Sequence, residues 1–271
     1  MQVYDHFLTK EKFKIEETEV PGIKKTTPIP NNLSKYYNSP KYLSHKETYD
    51  ILGFIYRIIQ GVNLYHKYRI INHLKNKPGE LLDYGCGKGD FIKHLQKKHW
   101  ICLGYEPNTN VKESLTLRNI TQVDINSENL SKHFDIITLW HVLEHINTPE
   151  AIIKDLIRCL KPKGYLIIAI PNYESLDAKY YKQYWAAYDV PRHIWHFNQN
   201  GLIQLLKDLP ITYVKSYGQW FDSYYVSILS EKYKKSRFGL IRALIIATAS
   251  NILAIFTKQH SSKIYIFQNL K

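Results

Sequence analysis

The spacing of apolar residues along the chain changes twice. From about Thr48 to Leu74, Ile51, Ile55, Ile58, Ile59 and Val62 recur every three or four positions, and Leu64, Tyr68 and Ile71 continue the stripe. That period predicts a helix, with Gly61 as a joint between two helical pieces. Upstream, Pro21, Gly22, Pro28, Pro30 and Asn31-Asn32 break any long element, so residues 1–33 are expected to be irregular. After Pro78-Gly79 the pattern becomes short apolar runs that alternate with helical stretches. Strands are expected at Glu80–Tyr84, Ile101–Tyr105, Ile120–Val123, Phe134–Trp140 and Tyr165–Ile170. The run FDIITLW (134–140) is continuous, as in a strand buried on both faces. Helices are expected around Phe91–Leu95, over Val111–Leu117 and after Thr148-Pro149, a cap followed by a first-turn proline. This alternation implies a parallel sheet with right-handed crossovers. Past Pro171 come a polar and aromatic stretch (172–200), a helix at Leu202–Leu206, a strand at Ile211–Tyr217, an apolar helix at Leu240–Phe256 and a closing strand at Lys263–Gln268. The expected architecture is α/β with a seven-stranded, mostly parallel sheet. An arm and helical cap occupy 1–78, the main domain 79–271, and an apolar helical insertion (239–257) precedes the last strand.

Composition narrows the class. With 271 residues, 44% hydrophobic and 23% charged, the chain can bury a core, which excludes wholesale disorder. Three isolated cysteines (Cys86, Cys102, Cys159) exclude a disulfide scaffold, and the start lacks a secretory apolar stretch. A cytoplasmic location is expected, with peripheral contact at the inner membrane surface as an addition. The net charge of +13 favours anionic partners, but the lysines are dispersed.

The sharpest signal is LLDYGCGKGDF (81–91): a strand into Asp83, then glycines at 85, 87 and 89, then a helix. Glycines allow a tight turn and close approach of a ligand to the main chain. An acid at the loop entrance would repel a pyrophosphate but suits an ammonium group. Glu106, about twenty residues on, can grip two ribose hydroxyls. Asp124, after the third expected strand, suits the exocyclic amine of an adenine, with Ile125 against the ring. Together these describe a site for an amino-acid nucleoside.

At these residues the sequence resembles the class I S-adenosylmethionine-dependent methyltransferases, in the branch like the ubiquinone O-methyltransferases. LLDYGCGKGDF resembles the first motif, GYEP (104–107) the second, FDIITLWHVLEHI (134–146) the fourth and LKPKGYLIIAIPN (160–172) the fifth. The resemblance implies a Rossmann-like fold and S-adenosyl-L-methionine as cofactor, with S-adenosyl-L-homocysteine as product. It implies cofactor contacts at Asp83, Gly85, Cys86, Gly87, Asp90, Glu106, Pro107, Asp124, Ile125 and Trp140. Trp140 and His141 fall where that family places sulfonium and substrate.

Methyl transfer is an in-line displacement, so holding the acceptor aligned does most of the work. An oxygen acceptor must also lose a proton, which makes histidine the natural base. His193, in DVPRHIWHF (189–197), is the first candidate and His141 the second, with Tyr184, Tyr188, Arg192 and His196 as substrate contacts. Tyr180, Tyr181 and Trp185 extend this aromatic wall, and Tyr36, Tyr37, Tyr42 and His45 suggest a flap. HVLEH (141–145) also spells the inverted zinc-peptidase signature, but its first His follows a buried strand rather than lying on one helix with the second. The branch it resembles has E-x-x-E-H there with a divalent ion; His141 replaces the first Glu, so no metal is expected.

The helix 240–256 carries one charge, Arg242, and is at the short edge for a membrane span. It is expected to pack on the body or on a second subunit; with Lys232, Lys234, Lys235 and Arg237 beside it, a membrane surface is the alternative. The function implied is methylation, at oxygen, of a small or lipid-soluble acceptor. The alternatives are an RNA or protein methyltransferase using the basic surface, and a non-catalytic cofactor-binding module. A homodimer is an expected assembly; nucleic acid is not an expected partner.

Overall fold

In the computed structural model, residues 1–37, 51–125 and 130–271 are described. Among the described residues, ten strands form two sheets. The first comprises β1 (Gln2–Tyr4), β2 (Lys12–Glu17) and β3 (Ile23–Thr27). The central strands are β4 (Glu80–Tyr84), β5 (Ile101–Tyr105), β6 (Phe134–Trp140) and β7 (Leu160–Pro171), followed by β8 (Trp195–Phe197), β9 (Ile211–Gly218) and β10 (Ser262–Asn269). The central sheet runs β5-β4-β6-β7-β10-β9, with β4, β5, β6 and β7 parallel and β10 antiparallel to both neighbours.

Alternation along the strands makes two cores. On one face Leu82, Ile137, Leu139, Leu166 and Ile168 pack against the helix Pro149–Cys159. On the other, Leu81, Ile136, Ile167 and Ile264 pack against Ile92 and Leu95 of the helix Asp90–Gln96 and Ile70 and Ile71 of the helix Ile51–Leu74. A period of two sends neighbouring strand residues to opposite faces, so both layers are apolar.

The sheet has six strands rather than seven. Ile120–Val123 reaches β5 only through the bridge Gly104–Gln122, with Gly104 donating to Thr121 and Val123 donating to Gly104. The helix Ile51–Leu74 runs unbroken through Gly61, so the expected joint is absent. The insertion before β10 holds two helices, Asp222–Lys234 and Gly239–Thr257, of which only the second was expected.

The N-terminal segment is not irregular. β1, β2 and β3 form an antiparallel sheet that β8 completes, in the order β1-β2-β3-β8. KFKIEE alternates outward and inward, burying Phe13 and Ile15. Pro21 and Pro28 fall between or after strands, where they interrupt no ladder. Tyr42, His45 and Tyr49 lie outside the described residues.

A buried ion pair ties this sheet to the connection after β7. The Arg192 guanidinium donates to Asp189 at 2.9 and 2.6 Å and to Asp5 at 3.2 Å, and its side chain is 1% exposed. Asp5 also accepts the backbone N–H groups of Phe7, Leu8 and Thr9. Removing one partner from such a pair leaves an uncompensated buried charge. Arg192→Ala is therefore expected to lower the unfolding free energy by about 3–5 kcal/mol, read from urea denaturation. A midpoint unchanged from the parent protein would contradict this.

Candidate active site

β4 delivers Asp83 and then the glycine loop to the carboxyl edge of the sheet, where ligands bind in open parallel sheets. Gly85 and Gly87 sit at φ 77° and 52°. A Cβ on Gly85 would lie 2.5 Å from Val142 Cγ2, so only glycine fits there. At Gly87 a Cβ would meet nothing within 4 Å, so the main chain is open to an approaching group. Asp83, Gly85, Cys86, Gly87 and Trp140 line one cavity of about 330 Å³.

The donors in this cavity suit a cationic nucleoside. Burial pushes the Asp83 carboxyl up to about 6, against the hydrogen bond from Thr138 Oγ1 (2.7 Å) and the nearby charge of Lys67. A buried carboxylate in that state is stabilised by a cation. Trp140 Nε1 is buried with no hydrogen-bond partner, and Lys67 Nζ lies 4.4 Å from the centroid of its ring. Glu106 does not itself line the cavity but stands against the loop that does: its oxygens accept the backbone N–H groups of Gly87 and Asn108, each at 2.9 Å. Cys86 is inert as a nucleophile, since burial pushes its thiol up to about 12.

Not every expected contact reaches this cavity. Asp90 lines it, but its carboxylate is bound to Arg118 (2.7 Å) and Gln60 (3.1 Å), and Gly89 takes the N-cap position. Pro107 and Asp124 are exposed outside it, and Ile125 is buried in the core beneath. Gln60, Asn63 and Lys67 line the cavity and were not anticipated. Their signal was a polar stripe at helical spacing on a helix read only for its apolar face.

A second cavity of about 360 Å³ adjoins the first, and both are lined by His141 and Asp222. Its walls include Phe7, Tyr225, Leu229 and Tyr233, with Arg192 and His193 from the connection after β7. Asp222 opens a helix just after β9, again at the carboxyl edge. His141 follows β6 at φ 56° and is held between two carboxylates. Its Nε2 is 3.3 Å from Asp222 Oδ2 and 3.2 Å from Gln219 Oε1; its Nδ1 is 3.5 Å from Glu144 Oε1. Burial disfavours its charged form, but Asp222 and Glu144 outweigh burial and raise its pKa to about 10. Acceptors on both sides of the ring match an imidazolium, which has two donors.

His193 lines the second cavity but is a poor base. Burial, with His145 beside it, lowers its pKa to about 4, and its Nδ1 is 2.8 Å from the Ala187 carbonyl oxygen. A group that binds a proton so weakly has little drive to remove one at neutral pH. The other expected substrate contacts divide. Arg192 lines the cavity while saturated by Asp5 and Asp189. Tyr188 is core, packed edge-on against Trp185 and His196, and Tyr184 packs on His6. His196 lies in β8, 2.9 Å from Thr26 Oγ1 across the sheet junction, away from the cavity. The aromatic wall expected from 180–188 is therefore a packing cluster, and Phe7, Tyr225 and Tyr233 take its place.

The divalent ion of the E-x-x-E-H pattern does not fit here. Its first carboxylate position is His141, which is cationic and engages Glu144. Glu144, His145 and His193 do bring donor atoms within 4.8 Å of one another, but Glu144 is then shared with the imidazolium. No step of the chemistry below uses a metal.

Asp83 gives the first cavity a pH dependence. Only its ionised form pairs with an ammonium group, and the proton stays until about pH 6. S-adenosylmethionine affinity is expected to fall as pH drops through 6, by roughly tenfold between pH 7 and pH 5. Thr138→Val, which removes a hydrogen bond favouring the charged form, is expected to move this loss to higher pH. Calorimetric titration across that range checks both; a flat profile would remove Asp83 from cofactor binding.

Comparison with known proteins agrees with this geometry. Residues 57–215 match the methyltransferase domain family. The chain is 26% identical over 104 residues to the ubiquinone biosynthesis O-methyltransferase of Yersinia enterocolitica, covering 34% of this chain and 43% of that protein. It is 32% identical over 108 residues to an uncharacterised protein of Methanocaldococcus jannaschii, covering 40% and 48%. The chain thus spans under half the length of these relatives. Among solved structures, phosphoethanolamine N-methyltransferase 2 of Haemonchus contortus in complex with S-adenosyl-L-methionine superposes with a TM-score of 0.52. That match is at 16% identity and covers 85% of this chain and 60% of that one. An S-adenosylmethionine-dependent methyltransferase of Methanosarcina mazei gives a TM-score of 0.50 at 17% identity, covering 74% and 97%. These likenesses support the fold. With a family match over more than half of its length, this chain belongs to the methyltransferase domain family, with the class I fold and S-adenosylmethionine as its cofactor.

Proposed function

We propose that the chain methylates a hydroxyl oxygen of a small or lipid-soluble acceptor held in the second cavity, and that the hydroxyl is acidic: a phenol or an enol. The observation that carries this is His141, a charged imidazole at the junction of the two cavities. A fixed cation stabilises an adjacent oxyanion and lowers the pKa of the hydroxyl it comes from. The concave, largely apolar second cavity suits a small molecule better than a polymer.

S-adenosylmethionine supplies an electrophilic methyl group on a sulfonium. In this reading Asp83 pairs with the ammonium end and Glu106, beside the glycine loop, with the ribose, while the adenine extends beyond the cavity toward Asp124. Trp140 and Lys67 close the cavity around the donor. His141 replaces His193 as the group nearest the chemistry. Its Nε2–H, shared at rest between Gln219 and Asp222, passes as a hydrogen-bond donor to the acceptor oxyanion, the hydroxyl proton having left to solvent as the acceptor binds, while Glu144 at Nδ1 keeps the ring charged and aimed. Phe7, Tyr225 and Tyr233 hold the body of the acceptor and exclude water, which strengthens the electrostatic contact.

His141→Gln keeps a donor but removes the charge, and is expected to slow turnover by roughly 10²–10³-fold with cofactor affinity retained. Asp222→Asn removes the partner that raises the His141 pKa. The rate should rise as the acceptor ionises and fall above about pH 10 as His141 loses its proton; in Asp222→Asn that alkaline limb should move to lower pH. The acceptor class is checked by incubating protein and methyl-labelled cofactor with a cell extract. Label in an organic-extractable phenol or enol supports the proposal; label in RNA or protein, or an unchanged rate in His141→Gln, would overturn it.

A further inference from the structure

The helix Gly239–Thr257 inverts the usual order of a surface helix. Its body-facing stripe is small and partly polar: Ala243, Ala247, Ser250, Asn251 and Ala254 are buried. Ser250 Oγ donates to Asp177 at 2.8 Å and Asn251 Nδ2 to the Trp220 carbonyl at 2.9 Å, so this side is fixed to the protein. The opposite side is apolar and open to solvent. Ile241, Ile245 and Phe256 are 63%, 60% and 79% exposed, with Leu240, Leu244 and Ile252 beside them. A contiguous apolar face of this kind marks an interaction surface.

We propose that this face docks, lying flat, onto an anionic lipid surface and sets the mouth of the second cavity against the bilayer. Four observations choose this occupant. First, although the helix is long and apolar enough to span a bilayer, it is fixed along the protein: its inner stripe is bonded to the body and its C-terminal end leads within a few residues into β10. Second, the surrounding charge is of one sign. Lys232, Lys235, Arg237 and Lys258 are exposed, whereas of the two acids in the 222–263 segment Asp222 lines the cavities and Glu231 is buried. Basic residues flanking an apolar in-plane helix are attracted to anionic headgroups. Third, a second copy of this chain would meet the patch with the same patch, setting these cations against one another. Fourth, the helix packs along Asp222–Lys234, whose Tyr225, Leu229 and Tyr233 wall the second cavity. A lipid-soluble acceptor would then pass from bilayer to cavity without crossing water; that last step rests on the proposed function, and the docking itself does not.

The test is co-sedimentation of the intact chain with phosphatidylcholine vesicles prepared with and without phosphatidylglycerol. Binding is expected to the anionic vesicles, weakened by salt. Ile241→Gln with Ile245→Gln, and separately Lys235→Gln with Arg237→Gln, are each expected to weaken it roughly tenfold or more. S-adenosylmethionine affinity, measured alongside, should stay unchanged and so report an intact fold. Failure of the parent protein to sediment with anionic vesicles, or undiminished binding of both variants, would overturn the proposal. So would a dimer in light scattering that Ile241→Gln with Ile245→Gln dissolves while vesicle binding is absent. Loss of methyl transfer with vesicle binding intact would count against the proposed function alone.

Discussion

The contact on which the two halves of the site depend is the grip of Asp222 and Glu144 on His141. Glu144 is buried and neither of its oxygens has a hydrogen-bond partner, so its charge alone would be costly. The imidazolium offsets that cost as an ion pair, facing Glu144 at 3.5 Å on one side and Asp222 at 3.3 Å on the other. The grip also joins distant parts of the chain, since His141 ends β6, Glu144 lies in the short helical turn Leu143–His145 and Asp222 opens a helix after β9. Charge at this point therefore fixes the spacing between the donor cavity and the acceptor cavity, and the positive φ at His141 turns the ring toward both.

Two kinds of residue surround that contact. Asp83 is strained electrostatically, buried with its pKa raised, and gains when a cation arrives. Glu106 is satisfied at rest by two backbone N–H groups and serves as a preorganised rim. The first makes donor binding sensitive to protons, and the second keeps the loop in shape before binding. A site built only from satisfied groups would hold its form but select weakly for charge.

Much of the central sheet was legible because buried parallel strands read as short apolar runs: Glu80–Tyr84, Ile101–Tyr105 and Phe134–Trp140 occur with the expected limits. The glycine loop and its acid were equally plain, because positive φ and close approach leave glycine no substitute. What escaped depends on pairing that no local pattern reveals. β1, β2 and β3 are only three to six residues long, and the edge of their sheet at β3 is covered by β8, far along the chain. Ile120–Val123 has the composition of a strand but makes only one bridge. The histidines were harder still. His193 and His196 are alike in sequence to His141, yet at them burial outweighs the nearby Glu144 and Asp189 and lowers the pKa, whereas at His141 the carboxylates outweigh burial and raise it. The aromatics of 180–188 show the same limit: a ring that packs and a ring that binds have one composition and differ only in what they face.

The Arg192–Asp5 bond has a consequence for how such a protein diversifies. Phe7, two residues past Asp5, lines the second cavity, while the glycine loop, Asp83 and Glu106 belong to the central sheet and the turns that follow its strands. On the proposed function, selectivity for the molecule being modified is partly written near Asp5 and clamped in place by the Arg192 guanidinium. Changes at Phe7 would then retune the choice of acceptor without touching the residues of the first cavity, so that part of acceptor specificity is free to drift apart from donor binding.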